Sequence, residues 1–287
     1  MYLKPFRYER AATLSEAAEA LRSHEGGARL IAGGQSLMPM MNLGLVEVDA
    51  VVDISRVDEA RGAAEDDGYL RIGALTRHRE LERDDLVRTH QPLLAAAARN
   101  VGSPRVRNRG TLGGSLAHSD PAAELPLAMT ALGATYEVTN GRETKGVPVE
   151  EFHVTYFTTT LAEDEVLSSV RVPKLGPGWG WGFVEVSRRP GDFAIAAAAA
   201  LVRLGGGEIV ESRVVLGGVS ERPLRLGALE STLTGARAGD VAQRVGEIDG
   251  IEPMTDTSAT GEHRRHLSRV LAIRAVQGAI ARAEEAA

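Results

Sequence analysis

Two glycine-rich segments decide how this chain folds: Leu30-Ile31-Ala32-Gly33-Gly34-Gln35-Ser36-Leu37 and, further along, Arg109-Gly110-Thr111-Leu112-Gly113-Gly114-Ser115. Each combines paired glycines with hydroxyl side chains, and residues 29–32, which lead into the first pair, predict a short buried strand. Glycine permits positive φ and a close approach of the backbone to a ligand, so successive amides can point at one anion, while hydroxyls add neutral donors. Two such loops could hold the two phosphates of a dinucleotide.

The glycine pairs also permit a simpler interpretation. Paired glycines are ordinary turn residues, so each loop could be a tight turn without a ligand. Neither loop has the lysine of a phosphate-binding loop, and neither matches the G-x-G-x-x-G pattern. Spacing alone therefore leaves both an anion site and a pair of structural turns open.

Helices and short strands are predicted around these loops. Thr13-Leu14-Ser15-Glu16 fits a capping box that begins a helix, Asp120-Pro121 is typical of a helix N-cap and its first residue, and Asn140-Gly141 indicates a type I′ hairpin. The other patterns predict strands at 50–54, 69–73, 135–139 and 143–147 and helices near 76–82 and 92–99.

The pattern changes after residues 175–180, which are typical of a linker. Residues 181–187 alternate like a strand. Residues 193–204 are rich in alanine, which favours a helix by propensity, but we predict a strand, with Gly205-Gly206-Gly207 as a turn and 209–216 as the return strand. A final helix is predicted over 262–282, and the fold class is α+β with a C-terminal domain of its own.

Composition excludes several classes of protein. The 287 residues carry a formal net charge of -6 and are 43% hydrophobic, which argues against a nucleic-acid binder and against a disordered chain. The absence of cysteine excludes disulfides, thiolate zinc sites, iron–sulfur clusters and a cysteine nucleophile. The N-terminal residues lack the apolar core of a signal peptide, and the longest apolar run, Phe193–Val202, is too short to span a membrane. We therefore expect a cytoplasmic protein.

Two long stretches resemble the flavin-binding signatures of the FAD-carrying medium subunits of molybdenum hydroxylases, the family that includes the medium subunit of carbon monoxide dehydrogenase and the FAD subunit of xanthine dehydrogenase. Residues 30–39, followed by Asp53-Ile54, resemble the first signature, and residues 107–126 resemble the second. Residues 72–76 and 187–194 are also similar to family segments. Because the resemblance runs in order over nearly the whole chain, it outweighs the turn-only interpretation.

The resemblance implies a domain organisation. An FAD-binding fold would occupy residues 1–175, as two α/β subdomains over about 1–55 and 56–175. A C-terminal domain with a small antiparallel sheet and helices would occupy 176–287.

The resemblance also implies an FAD site. The two loops would cradle the pyrophosphate, the first through backbone amides, and Glu124 would bind ribose hydroxyls in preference to Asp120, whose N-cap role is a sufficient explanation. A valine at Gly34 or Gly114 would then project against the pyrophosphate and prevent FAD retention. The implied FAD-binding residues are Ile31, Ala32, Gly33, Gly34, Gln35, Ser36, Leu37, Thr111, Gly113, Gly114, Ser115, Asp120, Glu124, Val166, Leu167 and Phe193.

The resemblance also places side chains near the flavin ring, and at Glu185 and His118 alternatives stay open. In the family Val166 and Leu167 would pack against the flavin ring, and Phe193 would stack on it where many relatives have tyrosine. Glu185 could lower the flavin potential or could point to solvent from its strand. A structural, hydrogen-bonded role is favoured for His118 over FAD contact.

The sequence contains no visible catalytic triad or paired-carboxylate site, and no metal site is predicted, since His263 and His266 lack acidic partners.

The resemblance implies a noncovalent FAD that takes electrons from [2Fe–2S] clusters on a small partner subunit and delivers them to an external acceptor. The molybdenum cofactor would lie on a large molybdopterin subunit, and the resemblance implies that the three kinds of subunit assemble as a heterohexamer. Two alternatives are a self-contained FAD-dependent oxidoreductase and a flavin-free scaffold subunit. This sequence does not identify the substrate of the complex, which would bind to another chain, and it does not identify the electron acceptor.

Overall fold

Three larger sheets, one two-stranded sheet and the helices between them make up the fold in the computed structural model, which describes residues 3–246, 248 and 250–286. In chain order the elements are β1 (Arg7–Arg10), α1 (Leu14–Ser23), β2 (Ala28–Ile31), α2 (Leu37–Asn42), β3 (Ala50–Asp53), β4 (Ala63–Asp66), β5 (Tyr69–Gly73), α3 (His78–Arg83), α4 (Asp85–His90), α5 (Pro92–Asn100), α6 (Pro104–Arg107), α7 (Leu112–His118), α8 (Glu124–Leu132), β6 (Thr135–Thr139), β7 (Thr144–Pro148), α9 (Val149–Phe152), β8 (His153–Thr155), β9 (Thr158–Thr159), β10 (Val166–Pro173), β11 (Trp179–Val186), β12 (Ala196–Gly205), β13 (Glu208–Gly217), β14 (Leu224–Arg225), α10 (Gly227–Leu233), α11 (Val241–Val245) and α12 (Gly261–Glu285). The predicted α+β class is confirmed.

The first sheet positions the first glycine loop. Its three strands run in the order β1-β3-β2, and both outer strands are parallel to β3. Helix α1 buries Ala17, Ala18 and Leu21 against it, and Thr13 caps α1 by accepting the amide of Glu16 at 3.1 Å. The predicted capping box is only half formed, because the Glu16 carboxylate accepts the amide of Ala12 instead of that of the N-cap residue. The chain leaves β2 directly into the loop.

The second sheet carries the largest core of the molecule. Its antiparallel strands run in the order β4-β5-β10-β6-β7, and helices α3, α4, α5, α7 and α8 contribute buried residues to the same apolar cluster. Helix α7 begins at the second glycine loop, where the Thr111 side chain accepts the amide of Gly114 at 3.1 Å. Both glycine loops therefore precede short helices.

The alanine-rich segment is a strand, as predicted, and its small side chains explain why. In β12 the alanines alternate, so that Ala197 and Ala199 face the core of the second sheet while Ala198 and Ala200 face α12. Burial on both faces of a sheet outweighs the helix propensity of alanine. The third sheet has the order β11-β12-β13-β14 and is antiparallel throughout. Within the described residues, no helix is long and apolar enough to cross a membrane.

Three local predictions are wrong. The helix expected at Asp120-Pro121 begins at Glu124, because the Asp120 carboxylate accepts the amide of Ala122 at 2.9 Å and forms a turn instead. In the hairpin only Gly141 has positive φ, so the turn is not type I′. Strand β11 begins at Trp179, inside the predicted linker.

Candidate functional site

Both glycine loops line one cavity of about 770 Å³, a size typical of sites for small molecules and cofactors. Its wall is formed by the end of β2, the starts of α2, α7 and α8, the start of β10, and the connection between β11 and β12. Residues from all three of the larger sheets or their connections therefore line the cavity, and no single stretch of sequence could indicate this.

All sixteen predicted FAD-binding residues lie on the wall of this cavity. They are Ile31, Ala32, Gly33, Gly34, Gln35, Ser36, Leu37, Thr111, Gly113, Gly114, Ser115, Asp120, Glu124, Val166, Leu167 and Phe193. Residues separated by more than a hundred positions in the sequence are thus brought together. Their individual contacts with FAD stay a prediction.

The first loop presents free backbone donors to the cavity. In the part of the chain that the structure describes, the amides of Gly33, Gly34, Gln35 and Ser36 donate no hydrogen bond within the protein. Gly34 has φ +71°, a left-handed conformation that turns consecutive amides toward a common point. Four successive free amides on a cavity wall fit one phosphate of a dinucleotide.

The second loop is different, because its own amides are already used. The amide of Gly113 donates to the carbonyl of Ala74 at 2.7 Å, and the amide of Gly114 donates to the hydroxyl of Thr111. What this loop offers the cavity is the side chain of Ser115, whose hydroxyl has no hydrogen-bond partner among the described residues. The second loop therefore presents a side-chain donor to the cavity, whereas the first presents free amides.

Close packing between the loops explains two of their glycines. A Cβ added at Gly33 would overlap the carbonyl oxygen of Arg109, and one added at Gly113 would lie 2.5 Å from the Cβ of Ala74. The Arg77 guanidinium donates to the same Arg109 carbonyl and so fixes it beside Gly33. Gly33 therefore lets the first loop pack against the second, and Gly113 lets the second loop pack against Ala74. The sequence had suggested only that these glycines permit close approach to a ligand.

The expected reason for the effect of valine at Gly34 and Gly114 is also corrected. A Cβ at Gly34 would point toward Ile31 and Met38, with its nearest atom at 3.2 Å, and positive φ alone would strain it. At Gly114 the Cβ would lie 2.8 Å from the hydroxyl oxygen of Thr111 and disturb the helix cap. Both substitutions would thus act by distorting the loops.

His78 anchors the second loop from the side of α3. Its Nε2 donates to the carbonyl of Thr111 at 2.9 Å, its amide donates to the carbonyl of Gly110, and its side chain is buried on the cavity wall. Burial lowers the pKa of His78 to about 4, so the ring is neutral at physiological pH. Sequence reasoning missed this residue, since a lone histidine after Arg77 carries no distinctive pattern.

Carboxyl groups line the cavity near α8. Glu124 is 6% exposed, and Asp120 is half-buried beside it. Burial, reinforced by the charges of Glu185 and Asp120, raises the pKa of Glu124 to about 8, and burial raises the pKa of Asp120 as well. A protonated carboxyl can donate as well as accept a hydrogen bond, so Glu124 suits a ligand rich in hydroxyl groups.

One end of the cavity is apolar and lies against the C-terminal unit. Val166 and Leu167 are buried at the start of β10, whereas Phe193 is 65% exposed at the rim. Val101 and Val106 line the same cavity and were not predicted, because they precede the recognisable part of the second loop. A planar ring system would find apolar contact among these side chains.

A second rim aromatic, Phe157, also escaped prediction. It lies in the turn between β8 and β9 with φ +53°, and its ring centroid is 5.1 Å from that of His118. Both side chains line the cavity, and among the described residues the His118 ring forms no hydrogen bond. The hydrogen bond expected for His118 is therefore not formed among the described residues, and its ring contacts Phe157 instead.

Glu185 does not point freely into solvent. It lies on β11 in phase with Trp181 and Phe183, which pack toward the core of the second sheet, and its Oε2 is buried with no hydrogen-bond partner in the described chain. Burial raises the pKa of Glu185 to about 7. The solvent-facing interpretation is thus excluded, while any effect on a flavin stays a prediction.

Two buried histidines each make a contribution to stability that is lost in mild acid. Burial lowers the pKa of His78 and of His153 from the ordinary 6.5 to about 4. At these two positions the unfolded chain binds protons that the folded chain does not, so each histidine lowers the free energy of unfolding by about 3 kcal/mol as the pH drops from 6.5 to 4. The raised pKa values of Glu124 and Glu185 act in the opposite direction over this range, so the contribution of a histidine is read from the difference between wild type and a histidine variant. Urea unfolding at a series of pH values measures this difference: between pH 6.5 and 4, the free energy of unfolding of His153→Gln should change by about 3 kcal/mol in the stabilising direction relative to wild type. With exposed His263→Gln the change should be as in wild type; a change in His153→Gln equal to that of wild type would contradict the assignment.

Comparisons with known proteins agree along nearly the whole chain. Residues 4–175 match the family described as "FAD binding domain in molybdopterin dehydrogenase", and residues 181–279 match "CO dehydrogenase flavoprotein C-terminal domain". The glyceraldehyde dehydrogenase medium chain of Sulfolobus acidocaldarius is 34% identical over 96% of this chain and 98% of its own. The nicotine 6-hydroxylase medium subunit of Paenarthrobacter nicotinovorans is 33% identical over 98% of this chain and 100% of its own.

Solved structures of two enzymes share the complete fold. A chain of carbon monoxide dehydrogenase from Hydrogenophaga pseudoflava superposes with a TM-score of 0.95 at 33% identity, covering 98% of this chain and 99% of that chain. A chain of quinoline 2-oxidoreductase from Pseudomonas putida 86 gives a TM-score of 0.92 at 33% identity, covering 100% and 99%. With two matched domains and a cavity built from both glycine loops, the chain belongs to the family of FAD-binding medium subunits of molybdenum hydroxylases and is an oxidoreductase subunit of the carbon monoxide dehydrogenase type.

Proposed function

We propose that this chain is the FAD-carrying electron-transfer subunit of a molybdenum hydroxylase complex. The observation that carries the proposal is the row of free amides from Gly33 to Ser36 on the wall of a cavity large enough for a cofactor. Free backbone donors turned toward one point are the usual way in which a protein binds a phosphate without lysine or arginine. The apolar end at Val166 and Leu167 supplies a separate environment for a ring.

In this proposal, different residues of the chain bind the phosphates, the hydroxyl groups and the ring of FAD. The amides of Gly33 to Ser36 bind one phosphate, the hydroxyl of Ser115 donates to the other, and Glu124 accepts or donates hydrogen bonds at the hydroxyl groups. Val101, Val166 and Leu167 exclude water from the ring, which Phe193 covers at the rim. When bound, FAD supplies the redox chemistry, and the protein supplies orientation and electrostatics.

The proposed partners are a small subunit with [2Fe–2S] clusters and a large molybdopterin subunit, in a cytoplasmic heterohexamer. The relatives named above are medium chains or subunits, a term that itself implies larger and smaller partners. Because the chain has no cysteine, any thiolate-bound clusters of the complex belong to other chains. For the same reason FAD is bound here without a thioether link.

The test is to purify the chain with and without the products of co-expressed neighbouring genes. We expect a yellow chain that retains FAD but oxidises no substrate alone, and a complex that reduces an added dye when substrate is supplied. Turnover by the isolated chain with a nicotinamide nucleotide would instead favour a self-contained oxidoreductase. A colourless chain that ignores added FAD would favour a scaffold subunit.

A further inference from the structure

Three carboxyl groups meet between the cavity and the third sheet. Glu124 and Asp120 lie on the cavity wall, and Glu185 lies behind them on β11, on the face that packs toward α8 and the second sheet. Glu124 is almost fully buried, and Oε2 of Glu185 has no hydrogen-bond partner in the described chain. We call these three residues the acidic cluster.

No cation neutralises the acidic cluster in the described part of the chain. The elements packed against α8 contribute His118 from α7, which lies beside Asp120. Of their arginines, Arg171 of β10 pairs with Asp66, Arg203 of β12 pairs with Glu211, and Arg99 of α5 is exposed. Arg213 of β13 reaches α8 at its other end, next to Gly133, and the acids of α9, Glu150 and Glu151, are exposed. Burial consequently favours the protonated forms of Glu124 and Glu185, and for Glu124 the charges of Glu185 and Asp120 add to this effect.

A dinucleotide would add further negative charge to a wall that is already acidic. The charged residues lining the cavity are Arg29, Asp120, Glu124, Glu163, Glu165 and Asp192, and the histidines beside them are neutral. A pyrophosphate carries two negative charges, so its arrival must raise the proton affinity of a nearby, poorly solvated carboxylate. Glu124, as the most buried acid on the wall, is the group to respond.

We propose that FAD binding is coupled to proton uptake at the acidic cluster, with Glu124 as the group that takes up the proton and Glu185 as the positioning residue that sets its protonation state. The proposal rests on the proposed function, since it assumes that the cavity binds FAD. The proton comes from solvent and converts the Glu124 carboxylate into the acid, and no bond of FAD forms or breaks. Neutral Glu124 then also gains an O–H donor for the bound cofactor.

Proton uptake can be counted by calorimetry. FAD is titrated into the chain at several pH values, each in buffers with different enthalpies of ionisation, and the dependence of the binding enthalpy on buffer gives the number of protons taken up. We expect uptake to approach one proton above the pKa of about 8 and the Kd to rise by up to about tenfold per pH unit there. Binding with no proton uptake over this range would overturn the inference, whereas absence of any FAD binding would overturn the proposed function.

Two variants and a control separate the roles. Glu124→Gln should remove the uptake above pH 8, and Glu185→Gln should shift its onset to lower pH, because the loss of a like charge lowers the pKa of Glu124. Glu211→Gln, on β13 and paired with Arg203, should leave the profile unchanged. If Glu124→Gln binds FAD too weakly to titrate, the pH dependence of proton uptake in Glu185→Gln still tests the proposal. Proton uptake that begins at the same pH in Glu185→Gln as in wild type would show that Glu185 does not act on Glu124.

Discussion

Replacing Gly33 with valine should reduce the affinity for FAD by at least about a hundredfold, because the two glycine loops can no longer meet. A Cβ at this position overlaps the carbonyl oxygen of Arg109, which Arg77 holds in place, and the next nearest atoms belong to the backbone at 2.9 Å. All of these neighbouring atoms belong to the backbone of Arg109 and Gly110, which cannot move aside as the end of a flexible side chain can. The first loop must therefore shift, and its free amides would lose their common direction.

Flavin fluorescence quenching on titration of FAD into the purified variant measures this effect. The free energy of unfolding should also fall, by about 1 to 3 kcal/mol, as expected for overpacking. Gly176→Val is the matched control, since this exposed glycine has no atom within 4 Å of an added Cβ and no positive φ. Wild-type affinity in Gly33→Val would show that contact between the loops does not support the site.

The second large effect is expected from Gly182→Val in β11. An added Cβ would overlap the carbonyl oxygen of Ala275 in α12 and lie 3.0 Å from its Cα. Gly180 meets Ala279 in the same way one turn later, so the helix lies directly on the strand. Valine would push α12 off the sheet and expose the alanine-lined interface beneath it, at a cost of about 3 kcal/mol or more in the free energy of unfolding.

Urea unfolding followed by circular dichroism tests this expectation, again with Gly176→Val as the control. FAD affinity should also weaken, because β11 carries Glu185 and leads into the rim segment with Phe193. A Gly182→Val chain with the stability of wild type would mean that α12 does not pack against β11 as the structure has it.

The sequence predicts best where the local pattern and the tertiary environment agree. The strand at 196–205 could be inferred against its helix propensity because turns bracket it, and the two loops could be recognised because their residues are contiguous. Asp120-Pro121 misled because the same side chain that caps a helix can also close a turn on Ala122. The different hydrogen bonding of the two loops depends on Ala74, which is distant in sequence and gives no signal there.

Residues that enter the cavity from other elements were the hardest to predict. Val101, Phe157 and His78 carry no motif, and their place on the wall follows from the packing of α3, α5 and the β8–β9 turn around the second loop. Glu185 could be flagged by resemblance, yet its burial beside Glu124 depends on which face of β11 meets the second sheet. Long-range packing determines such placements, and a single sequence does not display it.

The most direct test of the central claim compares FAD with its two halves. If the amides of Gly33 to Ser36 hold a phosphate of the pyrophosphate, ADP should compete with FAD for the purified chain in an equilibrium titration, and riboflavin, which has no phosphate, should bind far more weakly than FAD. Riboflavin binding as tightly as FAD, without competition from ADP, would contradict the account.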